Sequence, residues 1–394
     1  MHRLTQLAKL VNGVPFDSTY FSGSGDLPLV RIRDLNSNDF ETFISRDLVP
    51  DAAVIRDGDV VIGMDGDFNA VLWSRGPAAL NQRLCLLRAT SGADPRFIAY
   101  AIPDALQRVN DLTWSTTVKH LSSAQVRAIR VPAYTPDQQR AIADFLDRET
   151  AQIDAFIAEN EKLIALLTER RAAAIARELD AAEDSEDVAL RVLLRAIEQG
   201  ESPQAEAGLA EADGSVGVLK AGCVNGGIYR ATEHKVLPPG YDVKERLLVT
   251  PGDLVVNRAS GSVNLLGSAA LVTPSPYRLM LSDKTFRLVP NSLATRDYLY
   301  WVLNSARYRR QVARSVSGAD GLANNLPMSV LRAIRVPLVP PARQHEVVQR
   351  LSALSAKVDE ALTLAREAIS LARERRAAII SSAVTGRLNL TEGV

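Results

Sequence analysis

From Pro136 to about Leu179 the apolar side chains return at helical spacing: Ile142, Leu146, Ile153, Phe156, Leu163 and Leu167 follow steps of three, four or seven. Pro136 followed by Asp137 marks a helix start, because proline lacks the N–H that the first turn would leave unpaired. A second stretch repeats the pattern with Val347, Leu351, Leu354, Val358, Ala361, Ala365, Ala368 and Ala372. Each predicted helix has roughly 40 residues, or about 60 Å at 1.5 Å per residue. One offers Phe and Leu where the other offers Ala, so close packing is possible and the pattern predicts that the two helices pair as a coiled coil. The remaining segments read as mixed α/β. Strand candidates are Leu29–Ile32, Val60–Ile62, Ala70–Trp73 and Arg83–Leu87, with counterparts Val216–Lys220, Leu254–Asn257, Ala269–Val272 and Thr285–Val289. Each set precedes one expected helix, near Phe97–Val109 and Tyr298–Val312.

The chain is duplicated. Arg-Ala-Ile-Arg-Val-Pro stands at 127–132 and again at 332–337, an offset of 205. The same offset continues without a gap, pairing Pro136 with Pro341, Gln139 with Gln344, Asp154 with Asp359, and Glu169–Ala173 with Glu374–Ala378. The segments ahead of these blocks correspond only loosely: Asp57–Val61 resembles Pro251–Val255 at an offset of 194. The helical blocks are fixed in length, and the segments before them are free to vary.

A chain of 394 residues exceeds one ordinary core, so two or more domains are expected. No apolar run approaches the ~20 residues needed to span a bilayer. The first residues are too polar and short for a secretory leader. Cys85 and Cys223 stand far apart outside any paired motif, which points to a reducing, cytoplasmic setting. Net charge is zero, yet it is unevenly spread. Residues 133–187 hold 6 basic and 14 acidic side chains, while residues 188–337 hold 18 and 12. A local basic face on a neutral chain still binds phosphates.

Catalytic motifs are scarce. None of His2, His120, His234 and His345 is spaced with Cys, Asp or Glu as a metal site requires. There is no P-loop, no dinucleotide fingerprint beyond Gly23-Ser24-Gly25, and no nucleophile elbow. Asp213 with Glu233-His234-Lys235 has the residue types of a nuclease site, but such a combination is common by chance, and a solvated loop beside a charged turn explains it. Side chains suited to DNA are more numerous. The first copy has Arg31, Arg33, Asn81, Gln82, Arg83, Lys119 and His120 in or beside expected loops; the second has Lys220, Asn225, Arg258, Asn264, Lys284, Asn324 and Asn325. The stretches Trp114–Leu121 and Gly318–Leu326, just ahead of the repeated hexapeptide, are expected to be the most exposed to DNA.

Several motifs together resemble the specificity subunit of type I restriction–modification systems. Thr117–Leu121 followed by Arg130-Val131-Pro132 is similar to the end of that family's first target recognition domain. Thr135–Asp147, Thr150–Asp154 and Glu161–Ile164 resemble its central helix, and Pro340-Pro341 with Gln344 and Ala383–Leu388 resemble the second copy. The resemblance implies an α+β fold with two mixed α/β target recognition domains, residues 1–132 and 188–337. An antiparallel pair of long coiled-coil helices, from helical regions 133–187 and 338–394, would separate them as an internal pseudo-two-fold repeat. It further implies a chain without catalysis or cofactor of its own that reads a bipartite site on double-stranded DNA. Its expected partners are two methyltransferase (modification) subunits bringing S-adenosylmethionine, and restriction motor-nuclease subunits using ATP with Mg. The helix pair would act as a ruler, setting the half-sites about one helical turn, ~34 Å, apart. A duplicated coiled-coil adaptor without DNA binding is the alternative.

Overall fold

The computed structural model describes residues 1–112, 119–180, 186–210, 214–262, 265–316, 324–388 and 390, the side chains of Asp180, Val316 and Asn324 excepted. The chain forms two compact units. Unit 1 comprises Met1–Asn160 and Arg366–Val394; unit 2 is Glu161–Ala365. Two long helices, Pro136–Asp180 and Pro341–Val384, each give one half to each unit.

Unit 1 holds two four-stranded sheets. The first is antiparallel and runs in the order Ala8–Asn12, Leu84–Ala89, Val60–Gly63, Ala70–Leu72. The second runs Phe43–Ile44, Leu27–Val30, Ala78–Leu80, Val54–Ile55, with a parallel pairing of Leu29 to Ala79 and Val30 to Leu80. Alternation along a strand sends successive side chains to opposite faces. Val60, Ile62, Cys85 and Leu87 therefore enter a core shared with the helices, while Val61, Leu84 and Leu86 enter a core shared with the second sheet. Burial on both faces explains the unbroken apolar runs Val60-Val61-Ile62 and Leu84-Cys85-Leu86-Leu87.

Unit 2 repeats this plan. Its antiparallel sheet runs Leu194–Gln199, Thr285–Pro290, Leu254–Asn257, Ala269–Leu271. Its second sheet runs His234–Val236, Val216–Leu219, Arg278–Met280, again with a parallel pairing, Val218 to Met280. The expected single helix is two helices in each unit: Pro95–Ala101 then Pro103–Leu112, and Arg296–Leu303 then Ala306–Val316. The break has local causes. Pro103 disrupts continuation of the first helix, and Ser305 Oγ accepts from the N–H of Tyr308 at 3.3 Å to start a new one. The repeated hexapeptide makes the end of a short helix and then a strand. Arg130–Val131 pairs antiparallel with His2–Arg3, and Arg335–Leu338 with Glu186–Ala189.

The long helices are antiparallel within each unit. In unit 1, Tyr134 donates to the Val384 carbonyl at 3.1 Å, and Arg376 Nε donates to Asp154 at 2.9 Å. In unit 2, Arg171 pairs with Asp359 at 2.7 Å and Arg350 with Glu178 at 3.3 Å. The offset of 205 carries Arg171 onto Arg376 and Asp154 onto Asp359, so one ion pair is the repeat image of the other.

The seam differs from the sequence expectation. On the second helix the buried line is Val347, Leu351, Ser355, Val358, Leu362, Ala365, Ile369 and Ala372, in heptad steps of four and three. Leu362 and Ile369 lie on it, and Leu354, Ala361 and Ala368 flank it. On the first helix Ile142, Ala143, Leu146, Thr150 and Ile153 are buried, whereas Phe156 and Leu163 are 46% and 44% exposed. The step from Ile153 to Phe156 leaves the stripe; Ile157 and Ile164 continue it, half-buried.

A buried glutamine fastens each long helix to its globular partner. In unit 1, Gln139 accepts from the Asp94 N–H at 3.1 Å and donates to the Tyr134 carbonyl at 3.0 Å. In unit 2, Gln344 accepts from the Thr295 N–H at 3.0 Å and donates to the Leu293 and Val339 carbonyls at 2.7 and 3.0 Å. Among the described residues no helix is long and apolar enough to cross a membrane.

Two predictions follow from this packing. Gln344→Ala removes the side-chain partner of the Thr295 N–H and of two carbonyls and is expected to cost about 1 kcal/mol or more; thermal unfolding of the variant measures it, and an unchanged melting temperature would refute the clamp. Burial pushes the thiols of Cys85 and Cys223 up to about 12. Unfolded thiols ionise at lower pH, so this contribution to stability is present below the ordinary thiol value and is lost as pH rises toward 12. At pH 8 neither thiol should react with a disulfide reagent until denaturant is added; prompt labelling of the native chain contradicts the burial.

Candidate nucleic-acid interface

The parallel pairing in each second sheet decides which side chains meet. In unit 1, Val30 lies beside Leu80, so Arg31 follows one strand as Asn81-Gln82-Arg83 follows its neighbour. A parallel bridge joins Asn81 to Val14. Gly13 permits that passage: a Cβ there would stand 1.8 Å from the Asn81 carbonyl oxygen. The N–H of Met64 donates to the Arg83 carbonyl at 3.0 Å, and the N–H of Leu121 to the Met64 carbonyl at 2.7 Å. Residues far apart in the sequence, 31, 64–66, 81–83 and 119–121, thus share one edge.

Their side chains are organised by acids that the sequence did not single out. Asp65 lies 3.3 Å from Arg83 and 2.7 Å from His120 Nδ1, and both partners stay more than half exposed. Arg31 Nε donates to Asp34 at 3.0 Å, and its Nη2 is buried without a partner among the described residues. Arg33 is open, reaching Asp34 at 3.8 Å and Glu41 at 3.5 Å. Gln82 is exposed at the turn tip. Lys119 points inward: its Nζ donates to the Asn110 carbonyl and side chain at 2.7 and 2.8 Å. Arg75 holds the loop after Arg31. It lies 3.9 Å over the Trp73 ring and donates to the carbonyls of Leu35 and Ser37, and burial lowers its pKa.

Unit 2 builds the same edge from different residues. Lys220 takes the place of Arg31, one residue beyond the strand paired with Arg278–Met280. The N–H of Arg258 donates to the Lys284 carbonyl at 2.8 Å and the N–H of Leu326 to the Arg258 carbonyl at 2.8 Å, matching the Met64–Arg83 and Leu121–Met64 bonds. Lys284 therefore matches Arg83, and Asn325 matches His120. Gly200 repeats the close passage, its Cβ position lying 2.0 Å from the Leu281 carbonyl.

Charge at this edge is again steered by acid. Lys284 lies 3.0 Å from Asp283 and Lys220 3.8 Å from Glu233. Burial raises the Asp283 pKa, but hydrogen bonds from Ser202 and Lys284 and the Lys284 charge outweigh it, so the carboxyl ends below its ordinary value. Arg258 donates to the Asp283 carbonyl at 2.9 Å and lies 5.7 Å over the Phe286 ring, with its Nε buried and unpaired among the described residues. Asn325 is exposed on a short strand against Ala259. Asn225 is not part of the edge. It lies on the hairpin Val224–Tyr229, whose glycines line a crevice with Arg171 and Tyr300.

Asn264, the Asn324 side chain, Asp213, 114–118 and 318–323 lie outside the described residues. Glu233 faces Lys220, and the adjacent His234 is fully buried, receiving the Ala210 N–H on Nε2 at 2.7 Å. Among the described residues no group of three His, Cys, Asp or Glu is placed to hold a metal.

Comparison with known proteins gives one answer. Residues 1–166 match the model of the type I restriction modification DNA specificity domain. The chain is 25% identical to the type I restriction enzyme EcoBI specificity subunit of Escherichia coli, over 98% of this chain and 85% of that one. It is 23% identical to the EcoKI specificity subunit of Escherichia coli strain K12, over 92% and 82%. In fold it is similar to a solved structure concerned with complex assembly and conformational transition of the type I R-M system, at a TM-score of 0.59 and 16% identity, over 88% and 86% of the two chains.

Arg83→Ala is expected to weaken DNA binding by about 1–3 kcal/mol and to relax preference at one base pair, leaving the melting temperature unchanged. A binding titration beside a thermal melt checks this; lost stability with intact binding would make Arg83 structural.

Proposed function

From the match of residues 1–166 to the DNA specificity domain and the similarity of nearly the whole chain to two specificity subunits, we propose that this chain is a type I specificity subunit that reads a bipartite site on double-stranded DNA, one half per unit, and scaffolds the modification and restriction subunits. The observation that carries this reading is the edge found twice: Arg31, Asn81–Arg83 and His120 in unit 1, with Lys220, Lys284 and Asn325 at matching backbone positions in unit 2. Arginine fits the guanine edge with two hydrogen bonds, asparagine and glutamine fit adenine, and lysine meets phosphates. Equivalent positions with different side chains are what two readers of different half-sites require. Asp65 and Asp283 hold neighbouring cations in fixed directions, which lowers the entropy lost when DNA arrives.

The helices supply the scaffold in this reading. Leu166 in unit 2 and Leu371 in unit 1 are repeat-related and stand 63% and 64% exposed. Two similar apolar points suit two copies of one methyltransferase subunit. Those subunits would bring S-adenosylmethionine and flip the target adenine from the stack. Restriction subunits would bring ATP with Mg, and the chemistry would stay with the partners.

The test is a gel shift with a random-sequence duplex pool, using the chain together with its methyltransferase partner, joined to a map of methylated adenines in the host genome. The expected result is retardation and a two-part motif with an unread spacer. Absence of retardation with and without the partner would favour the adaptor, and a continuous motif would refute the bipartite site.

A further inference from the structure

Unit 2 carries a cationic depression away from its reading edge. Leu190 and Leu193 of the turn Leu190–Leu193 are buried, which turns Arg191 outward. Arg195 is exposed on the following strand. Leu331 of the helix Met328–Ala333 is buried, leaving Arg332 outside. The N–H of Leu190 donates to the Ile334 carbonyl at 2.8 Å and ties these elements together. The three arginines line one small hollow of about 50 Å³ with Leu194, Ala196 and Ile197. Among the described residues none of the three has an ion pair, and nearby carboxylates are engaged elsewhere: Glu198 accepts from Arg287 Nε at 2.7 Å, and Asp187 pairs with Arg307. Three like charges around one hollow repel each other until an anion arrives.

The same elements recur in unit 1. The N–H of Leu4 donates to the Ile129 carbonyl at 2.9 Å, and Leu4 and Leu7 are buried. Lys9 takes the place of Arg195 and Arg127 that of Arg332, both exposed, and neither has an ion pair among the described residues. Ser123 Oγ donates to Asn12 at 2.7 Å, which seats the helix bearing Arg127 on the strand bearing Lys9. Each strand then runs on to its reading edge. Lys9 is five residues before Val14, which bridges Asn81, and Arg195 is five residues before Gly200, which abuts Leu281. At 3.3 Å per residue that is about 17 Å, or half a turn of duplex.

We propose that Arg191, Arg195 and Arg332 in unit 2, and Lys9 and Arg127 in unit 1, are contacts to DNA backbone phosphates that flank each half-site and are indifferent to its sequence. This rests on the reading of the chain as a DNA specificity subunit. The test uses the chain assembled with its methyltransferase partner, carrying either R191Q/R195Q/R332Q or K9Q/R127Q. Affinity for cognate and non-cognate duplexes is measured from 50 to 200 mM salt. Each phosphate contact adds about 0.9 to the slope of log K against log[salt]. The slope should therefore fall by about 2–3 for the triple variant and about 2 for the double, with equal fold-loss on both duplexes and an unchanged recognition motif. Arg→Lys versions at the same positions should keep the wild-type slope, separating charge from folding. An unchanged slope overturns the proposal. So does loss of methyltransferase association with the slope intact, which would assign the patch to an acidic protein surface. A wild-type complex that retards no duplex overturns the DNA reading itself.

Discussion

An apolar stripe sustained over more than forty residues has to be covered, and covering it governs the rest of this chain. Isolated helices draw little stability from propensity; packing of the apolar face supplies most of it. Here the halves of each helix are covered by the antiparallel partner and by the globular core of the unit they enter. Ile142 and Leu146 join Ala383 and Val384 in one core, and Ile175 and Leu179 join Val347 and Leu351 in another. A residue inserted into either helix would rotate the stripe by about 100° past the insertion. That physical penalty accounts for the gap-free offset of 205 through the helical blocks.

Polar groups add direction to this apolar packing. Gln139 and Gln344 are buried, and each fixes the start of its helix to backbone groups of its own globular segment. The Arg376–Asp154 and Arg171–Asp359 pairs are partly exposed and contribute little energy each. Their value is register, since a one-residue slip would separate both. At the two strand edges acids play the corresponding role, aiming arginine, histidine and lysine without neutralising their surfaces.

The two units illustrate how a frame can be kept while the side chains it presents change. The bond from Met64 to the Arg83 carbonyl and the bond from Arg258 to the Lys284 carbonyl occupy one place in the plan. Backbone pairing holds that place, so side chains there are free to differ. Arg31 and Lys220 differ there, as do His120 and Asn325.

The long helices, the duplication and the central strands of each unit were legible in the sequence because heptad spacing, a repeated hexapeptide and short apolar runs are local patterns; Ala8–Asn12, Ala78–Leu80, Leu194–Gln199 and Arg278–Met280 were not. Arg31, Arg83 and His120 were legible as residue types only. Arg83 and His120 converge on Asp65 through antiparallel pairings between segments apart in the sequence, which leave no local trace. The seam was misread at Phe156 and Leu163 because two apolar stripes fit the spacing and only the partner helix chooses between them. Lys119 looked like a free cation until folding brought Asn110 against it. Sequence alone thus determined element type, length and repetition, which follow from near-neighbour periodicity. Tertiary structure alone decided which side chains face each other, because that choice is made by packing between separate segments of the chain.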